Sequence, residues 1–325
     1  MDTIISSQQI EVYRPRPLDQ NPAAVYLAGL GSDKSRATMR EALDDIARLL
    51  GSLDCFTCNW SDLRFQHTAA IRARLQETTS SRTGEPYSPA TVNKMLCALR
   101  GTLKSARQLQ QMSAEDYYNA RDIKGIKNET LPAGRELQPG EIAALMQACE
   151  NEPGPGGVRD AAMISLLYVG GLRREEIVNL NIESYDPATG KMVVKGKRRK
   201  ERTAYLVNGA AWAMADWLEI RGGGPGALFW PINKAGVLTN RRLVTQTVYD
   251  MLQKRRAQAG VKDFSPHDLR RTFVSDLLDA GADISTVAKM AGHASVTTTA
   301  RYDRRPEAAK QKAAGLLHIP YRGRR

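Results

Sequence analysis

The sequence predicts a mainly α-helical protein of two domains, the second of which also contains a small antiparallel sheet. Three observations lead to this prediction. Apolar residues recur at helical spacing through much of residues 21–125. Residues 126–136 are rich in turn-forming and charged side chains, which is typical of a linker. Two short β-patterned runs flank a basic turn within residues 191–207, whereas the rest of residues 137–305 is mainly helical in pattern.

The first domain is predicted to be all-helical and to follow a flexible arm at residues 1–20. Asn21–Pro22 opens a short helix, and residues 35–50 and 60–75 carry further helical patterns. The strongest start signal is Ser88–Pro89, because serine caps a helix and proline suits its first turn. One side of this helix is apolar and the other is basic, and the basic side carries Lys94, Arg100, Lys104 and Arg107. These four residues are candidates for DNA phosphate contacts, and a solvated outer face is the alternative.

The second domain is predicted to begin with helices at residues 139–150 and 159–168. Residues 191–195 and 203–207 form two strands around the turn, and helical patterns return from about residue 240. Residues 306–325 are expected to form a C-terminal tail.

Composition excludes several classes of protein. The sequence has no apolar run long enough to span a membrane and no secretory signal, and its four cysteines are too few for a disulfide framework. We therefore expect a cytoplasmic protein. The net charge is +12, of which +10 lies in residues 131–325. A basic domain attracts polyanions, and nucleic acid is the commonest such partner.

Two basic motifs of the second domain are candidates for phosphate chemistry. In Gly170–Ile177 (GGLRREEI), Arg173 falls in the predicted first turn of a helix, where backbone N–H groups favour an anion, and Glu176 can hold its guanidinium. In the hairpin turn, Lys197 is followed by Arg198, Arg199 and Lys200, and a lysine in such a turn can donate a proton. Taken singly, a surface ion pair and a solvated hairpin are the alternatives.

Two further motifs lie near the C-terminus. In SPHDLRR, Ser265 and Pro266 start a helix on which His267 and Arg270 share one face. In GHASVTTTARY, one helix ends at Gly292, His293 lies in the turn, and Tyr302 follows on the next helix. A phenol can act as a covalent nucleophile. A structural tyrosine, or a recognition helix that reads bases, is the alternative.

The order and spacing of these motifs resemble those of the tyrosine recombinases, also called the phage integrase family. GLRREEI is similar to the first arginine box of the family, GKRRKER to its lysine hairpin, PHDLRRTF to its H-x-L-R box and GHASVTTTARY to its G-H…Y box. The six motif residues are Arg173, Lys197, His267, Arg270, His293 and Tyr302. The motifs cover about residues 137–305, and the sequence departs from the family at Arg271, where many members have histidine.

The resemblance implies a role for each matching residue. Tyr302 would attack a DNA phosphate and form a 3′-phosphotyrosyl bond. Arg173 and Arg270 would clamp the non-bridging oxygens, and His293 would donate to the same phosphate. Lys197 would protonate the departing 5′ oxygen, His267 would assist removal of the tyrosine proton, and Glu176 would support Arg173. Arg198, Arg199, Lys200 and Arg271 would add DNA contacts. No cofactor and no metal are expected.

The resemblance also implies a fold and an assembly. The helical first domain would be a core-binding domain that forms a C-shaped clamp with the catalytic domain around duplex DNA carrying a specific core site. Four copies would assemble on two synapsed sites, with the apolar tail residues Leu316, Leu317 and Ile319 packing on a neighbouring copy or on their own domain. The reaction would integrate, excise or resolve a mobile element, with accessory DNA-binding proteins as possible partners, in association with the bacterial nucleoid.

Three alternative interpretations of the sequence compete with this one. Cys55 and Cys58 form a CxxC pair with His67 nearby, which suggests zinc, although two convincing further ligands are missing. A non-catalytic DNA-binding protein would leave all six motif residues without a role. A type IB topoisomerase shares the tyrosine chemistry and is the main alternative function.

Overall fold

The chain folds into two compact units, Met1–Leu131 and Pro132–Arg325. The computed structural model describes residues 17–80, 83–127, 134–196, 201–303, 314–317 and 319–320. The division falls within the stretch 126–136 that the sequence assigns to a linker, and the domain ranges themselves stay predictions. Each unit has a hydrophobic core of its own.

The first unit is helical throughout its described elements. Its helices are α1 (Pro22–Ala28), α2 (Asp33–Leu49), α3 (Phe65–Glu77), α4 (Pro89–Gln108) and α5 (Ala114–Arg121). The predicted caps are in place: the Asn21 side chain accepts from the N–H groups of Ala23 and Ala24, and Ser88 accepts from Thr91. The local chemistry of the sequence therefore sets the starts of α1 and α4.

Helix α4 forms the centre of this core. Its apolar side buries Met95, Leu96, Leu99 and Leu103 almost completely. On another side, α1 approaches so closely that a Cβ at Gly101 would lie 2.2 Å from the Tyr26 ring. Helix α4 therefore packs on its predicted apolar side and, at Gly101, against α1 as well.

The predicted helix at residues 60–75 begins later than expected. Trp60–Asp62 is a short 3₁₀ turn, and α3 starts only at Phe65. The reason is tertiary: the Trp60 indole is buried and donates its Nε1–H to the Cys55 carbonyl at 2.7 Å, which fixes this segment outside the helix.

The second unit combines helices with one small sheet. Its described helices are α6 (Pro139–Glu150), α7 (Pro155–Tyr168), α8 (Arg174–Asn179), α9 (Gly209–Arg221), α10 (Thr245–Gln258), α11 (Pro266–Asp279), α12 (Ile284–Ala291) and α13 (Val296–Ala300). The strands are β1 (Tyr185–Asp186), β2 (Lys191–Lys195) and β3 (Glu201–Tyr205), antiparallel in the order β1-β2-β3. This confirms the predicted fold class.

The sheet register differs slightly from the prediction for its last strand. β3 runs over Glu201–Tyr205 rather than residues 203–207, because Lys195 pairs with Glu201 and Lys191 with Tyr205. Met192 and Val194 alternate with exposed lysines, so the sheet buries one face against the core.

Three buried features hold the helices of this unit together. Most of α7 lies inside the main core. The buried Arg255 of α10 reaches Asp160 of α7 at 2.6 Å, which ties these two helices. A smaller cluster formed by α11 and α12 contains Phe273, Val274, Leu278, Val287 and Ala291, and Tyr302 packs against it. The C-terminal motif is therefore anchored on α11 and α12.

Candidate active site

Arg173 lies at the N-terminal cap of α8 and is paired with Glu176. Its backbone N–H donates to Glu176 Oε2 at 2.8 Å, and its guanidinium donates to Glu176 Oε1 at 2.8 Å. Arg173 thus precedes the first turn that the sequence predicted for it, and the carboxylate takes the capping role. The Arg173 side chain is 44% exposed whereas that of Glu176 is 6% exposed, so the arginine reaches solvent from a buried support.

Arg202 on β3 is a site residue that the sequence analysis missed. Its guanidinium donates to both carboxylate oxygens of Glu176, at 2.9 and 2.8 Å, and its Nε–H donates to the Met290 carbonyl at 2.9 Å. The side chain is 10% exposed. Arg202 therefore joins the arginine box, the strand that follows the basic turn, and the end of α12. Because Arg202 lies in the basic run GKRRKER, the sequence alone suggests a solvent-exposed charge.

The two arginines keep Glu176 ionised. Burial alone would raise the pKa of this carboxyl. The hydrogen bonds from Arg202 and from the Arg173 backbone, together with both positive charges, outweigh burial and lower the pKa to about 2. A permanent negative charge therefore holds both guanidinium groups.

Arg270 is buried beside this pair, on α11. Its guanidinium donates to the carbonyls of Gly171 and Ala291, and the residue is only 2% exposed. Gly171 has φ +57°, and a Cβ there would lie 2.5 Å from Phe273. Only glycine fits this backbone position, so the Gly170–Gly171 break shapes the contact with Arg270.

Positive charge exceeds negative charge at this point. Burial first, and then the charges of Arg173 and Arg202, lower the pKa of Arg270 to about 9, so it still carries its charge at neutral pH. Arg173 and Arg202 thus donate to Glu176, and Arg270 is within reach of the Glu176 charge. Such a pocket favours an anion with several acceptor oxygens, which describes a phosphate diester.

His293 and Tyr302 are brought together at the edge of this pocket. α12 ends at Gly292, whose φ of +63° is a left-handed helix cap. The His293 and Tyr302 ring centroids are 6.5 Å apart, with the planes tilted by 24°. The Tyr302 phenol also acts on the pKa of Arg270, which places it within electrostatic reach of the buried guanidinium.

Thr299 connects these two rings and was also missed. Its hydroxyl is hydrogen-bonded to His293 Nδ1 at 2.8 Å, and its carbonyl accepts from the Tyr302 backbone N–H at 2.9 Å. Partial burial, followed by the charges of Arg270 and Arg173, lowers the pKa of His293 to about 4. His293 is therefore neutral at pH 7.

His267 lies near the start of α11 and is exposed. Desolvation, followed by the positive charge of Arg270, lowers its pKa, with Arg173 among the smaller contributors. Five of the six predicted residues, Arg173, His267, Arg270, His293 and Tyr302, are thus linked by contacts or by the electrostatic influence of one on another. The sixth, Lys197, lies outside the described residues, together with Arg198, Arg199 and Lys200.

Arg271, the residue after Arg270 on α11, is buried and contacts both Gly134 and Tyr302. It is 3% exposed, and its guanidinium donates to the Gly134 carbonyl at 2.6 Å. The guanidinium carbon lies 5.5 Å from the Tyr302 ring centroid. The DNA contact predicted for Arg271 stays a prediction.

The basic side of α4 belongs to the first unit. Lys104 is exposed and Lys94 is half-buried. The Arg100 guanidinium donates to the Ile123 carbonyl, and that of Arg107 lies 5.5 and 5.4 Å from the rings of Tyr117 and Tyr118. Arg100 and Arg107 therefore also serve the packing of this unit.

The zinc alternative gains nothing from the geometry. Cys55 and Cys58 are buried in the core of the first unit, and His67 Nδ1 accepts from the Arg64 backbone N–H. Among the described residues there is no group of three or more His, Cys, Asp and Glu side chains suited to a metal ion. Within the same residues, no helix is both long and apolar enough to cross a membrane.

This chain is similar in sequence to a family of known proteins. The model of the phage integrase family matches residues 135–308. Tyrosine recombinase XerC of Serratia marcescens is 33% identical over 244 residues, which cover 72% of this chain and 74% of that protein. Tyrosine recombinase XerC of Herpetosiphon aurantiacus is 27% identical over 272 residues, covering 82% and 83% of the two chains.

A solved structure shares the fold. The Tn1549 transposon integrase in complex with transposon right end DNA matches with a TM-score of 0.68 and 16% identity, over 93% of this chain and 99% of that one. The family match covers more than half of the chain and includes the residues that surround the cationic pocket. This protein therefore belongs to the phage integrase family of tyrosine recombinases.

Proposed function

We propose that the protein cuts and rejoins DNA at a specific site, with Tyr302 as the nucleophile and the pocket of Arg173 and Arg270 as the phosphate site. One observation carries the proposal: Tyr302 and His293 lie together beside a buried guanidinium whose neighbours leave an excess of positive charge. The relatives are tyrosine recombinases and give no support to the topoisomerase alternative.

The proposed reaction is a transesterification at the DNA phosphate. The Tyr302 oxygen forms a bond to phosphorus as the bond from phosphorus to the 5′ oxygen breaks. His267 assists removal of the phenol proton, and Lys197 gives a proton to the departing 5′ oxygen. The new phosphotyrosyl ester keeps the bond energy, so a second 5′-hydroxyl can attack it and rejoin strands.

The arginines and His293 stabilise charge on the phosphate. Arg270 has five N–H donors, and the Gly171 and Ala291 carbonyls leave others for the non-bridging oxygens. Arg173 approaches from its exposed position, and neutral His293 donates from Nε2. Removing one such donor is expected to cost about 3–4 kcal/mol of transition-state stabilisation, by comparison with an oxyanion-hole donor.

The test is covalent trapping. A DNA substrate with a nick next to the cleavage site lets the cleaved end diffuse away, so the adduct accumulates and is seen on a denaturing gel. Wild-type protein should form it, and Tyr302→Phe should bind the same DNA without forming it. Tyr205→Phe, which alters an exposed tyrosine of β3, is the matched control and should react normally. An adduct that survives Tyr302→Phe contradicts the assignment.

Double-stranded DNA is the proposed partner of both units. The net charge of +12 and the basic side of α4 (Lys94, Arg100, Lys104 and Arg107) support this proposal. The Tn1549 integrase structure is a complex with transposon right end DNA. A reaction on DNA agrees with action at the bacterial nucleoid in the cytoplasm.

The proposed active assembly is a homotetramer on two synapsed sites. The tail residues Leu316, Leu317 and Ile319 are at least 80% exposed, so they are available to a neighbouring copy. Truncation after Arg305 should then weaken cooperative DNA binding, and sedimentation of the full-length and truncated complexes would measure this. Equal cooperativity would mean that the tail serves only its own domain.

A further inference from the structure

Two adjacent arginines of α11 point to different parts of the molecule. Arg270 donates to the Gly171 and Ala291 carbonyls, beside Arg173 and Glu176. Arg271 donates to the Gly134 carbonyl and lies over the Tyr302 ring. Successive helix positions diverge in this way because side chains that share a face are three or four residues apart. The two arginines therefore have separate partners.

The contact between Arg271 and Tyr302 has the geometry of a cation–π interaction. The distance of 5.5 Å from the guanidinium carbon to the ring centroid lies within the usual range of about 6 Å. Such a contact is stronger away from water, and Arg271 is 3% exposed. The hydrogen bond to Gly134 fixes the guanidinium at its other end.

Within the described part of the chain, Tyr302 is also restrained by its backbone and by the His293 ring, whose centroid lies 6.5 Å from its own. It follows α13, a helix of only five residues, and its backbone N–H is held by the Thr299 carbonyl. Its ring packs partly on the small cluster of α11 and α12. The direction of the phenol therefore depends on the groups that contact the ring.

We infer that Arg271 is a positioning residue for the nucleophile: it holds the Tyr302 ring over α11 so that the phenol points at the phosphate. This inference rests on the proposed role of Tyr302. As the phenol gives up its proton to the base, negative charge grows on the ring and strengthens its attraction to the guanidinium. The predicted phosphate contact of Arg271 is the alternative role.

The two roles of Arg271 differ in their dependence on salt. A phosphate contact releases counterions, so its loss lowers the slope of log affinity against log salt by about one and weakens DNA binding. Loss of a positioning residue leaves binding and the salt slope unchanged and slows the chemical step alone.

The experiment combines both measurements on the full-length protein. Arg271→Met keeps the aliphatic stem and removes the cation, and we expect DNA affinity within twofold of wild type, an unchanged salt slope, and adduct formation about tenfold slower on the nicked substrate. Arg271→Lys keeps the charge without the planar group and should react at an intermediate rate.

Arg221→Met is the matched control. Arg221 is also buried, 4% exposed, and its guanidinium lies 4.3 Å from the Trp230 ring centroid, with hydrogen bonds to the carbonyls of Gly222, Gly224 and Ala227. None of these partners belongs to the proposed site. We expect its adduct rate to equal that of wild type at a temperature at which every variant is folded.

Several results would overturn the inference. They are a wild-type adduct rate in Arg271→Met, a lower salt slope with weaker binding, or an equal slowing in Arg221→Met. If Arg271→Met does not fold, Arg271→Lys decides, and a wild-type rate there overturns the inference. An adduct in Tyr302→Phe would instead refute the proposed nucleophile, so the two failures are distinguishable.

Discussion

Arg202 and Glu176 form a bidentate ion pair in the second unit, with both carboxylate oxygens accepting from one guanidinium, at 2.9 and 2.8 Å. The pair connects β3 to α8, and the Nε–H of Arg202 extends the connection to Met290 at the end of α12. One side chain therefore links β3 to α8, which follows Arg173, and to α12, which precedes His293. Both side chains of the pair are largely buried, at 10% and 6% exposure.

Replacing Arg202 should destabilise the second unit. Arg202→Met removes the bidentate partner of the buried Glu176 carboxylate, and breaking a buried pair in this way typically costs about 3–5 kcal/mol. Urea unfolding would measure the loss. Arg241→Met removes an exposed arginine of the same unit and should change the unfolding free energy by less than about 0.5 kcal/mol. Similar losses in both variants would contradict the role of the pair.

Acid should remove the contribution of Glu176 to stability. Its pKa is lowered from 4.5 to about 2 in the folded protein. The stabilisation is therefore fully present above the unfolded pKa and is lost as the pH falls from about 5 to about 2. Its size at pH 7 is on the order of 3 kcal/mol. The difference in unfolding free energy between wild type and Glu176→Gln should shrink over this pH range, and a constant difference would argue against it.

Thr299 should set the tautomer of His293. Because this histidine is neutral at pH 7, a donor proton on Nε2 requires that Nδ1 accepts from the Thr299 hydroxyl. Thr299→Val removes that hydroxyl, and we expect adduct formation to slow about tenfold, with nitrogen NMR of the imidazole reporting a mixed tautomer. In Thr297→Val the hydroxyl that is lost is exposed and hydrogen-bonded to the Ser295 hydroxyl, so rate and tautomer should not change. If the two variants change the adduct rate and the tautomer equally, Thr299 does not set the tautomer of His293.

A better leaving group should rescue loss of Lys197. If this lysine protonates the departing 5′ oxygen, Lys197→Ala should react slowly on ordinary DNA. A 5′-bridging phosphorothiolate needs no such proton and should restore most of the adduct rate. Arg173→Ala, which removes a phosphate ligand instead of an acid, should not be rescued. If the phosphorothiolate substrate does not restore the rate of Lys197→Ala, another group is the general acid.

The sequence by itself determined the motifs and the ends of several elements. Ser88–Pro89 starts α4, Gly292 ends α12, and the ordered spacing from Arg173 to Tyr302 indicated the family. These features are local, since a cap or a turn depends on residues only a few positions apart. The excess of positive charge in the second domain likewise follows from the composition.

Only the tertiary structure decided which charges are buried and what they touch. Arg202 and Arg271 lie in basic runs that look like solvated surface, yet one holds Glu176 across 26 positions and the other reaches Gly134 across 137. Arg270 finds its carbonyl partners 99 and 21 residues away. The local spacing of residues does not indicate such contacts, because they form only when packed helices and the sheet bring distant backbone groups together.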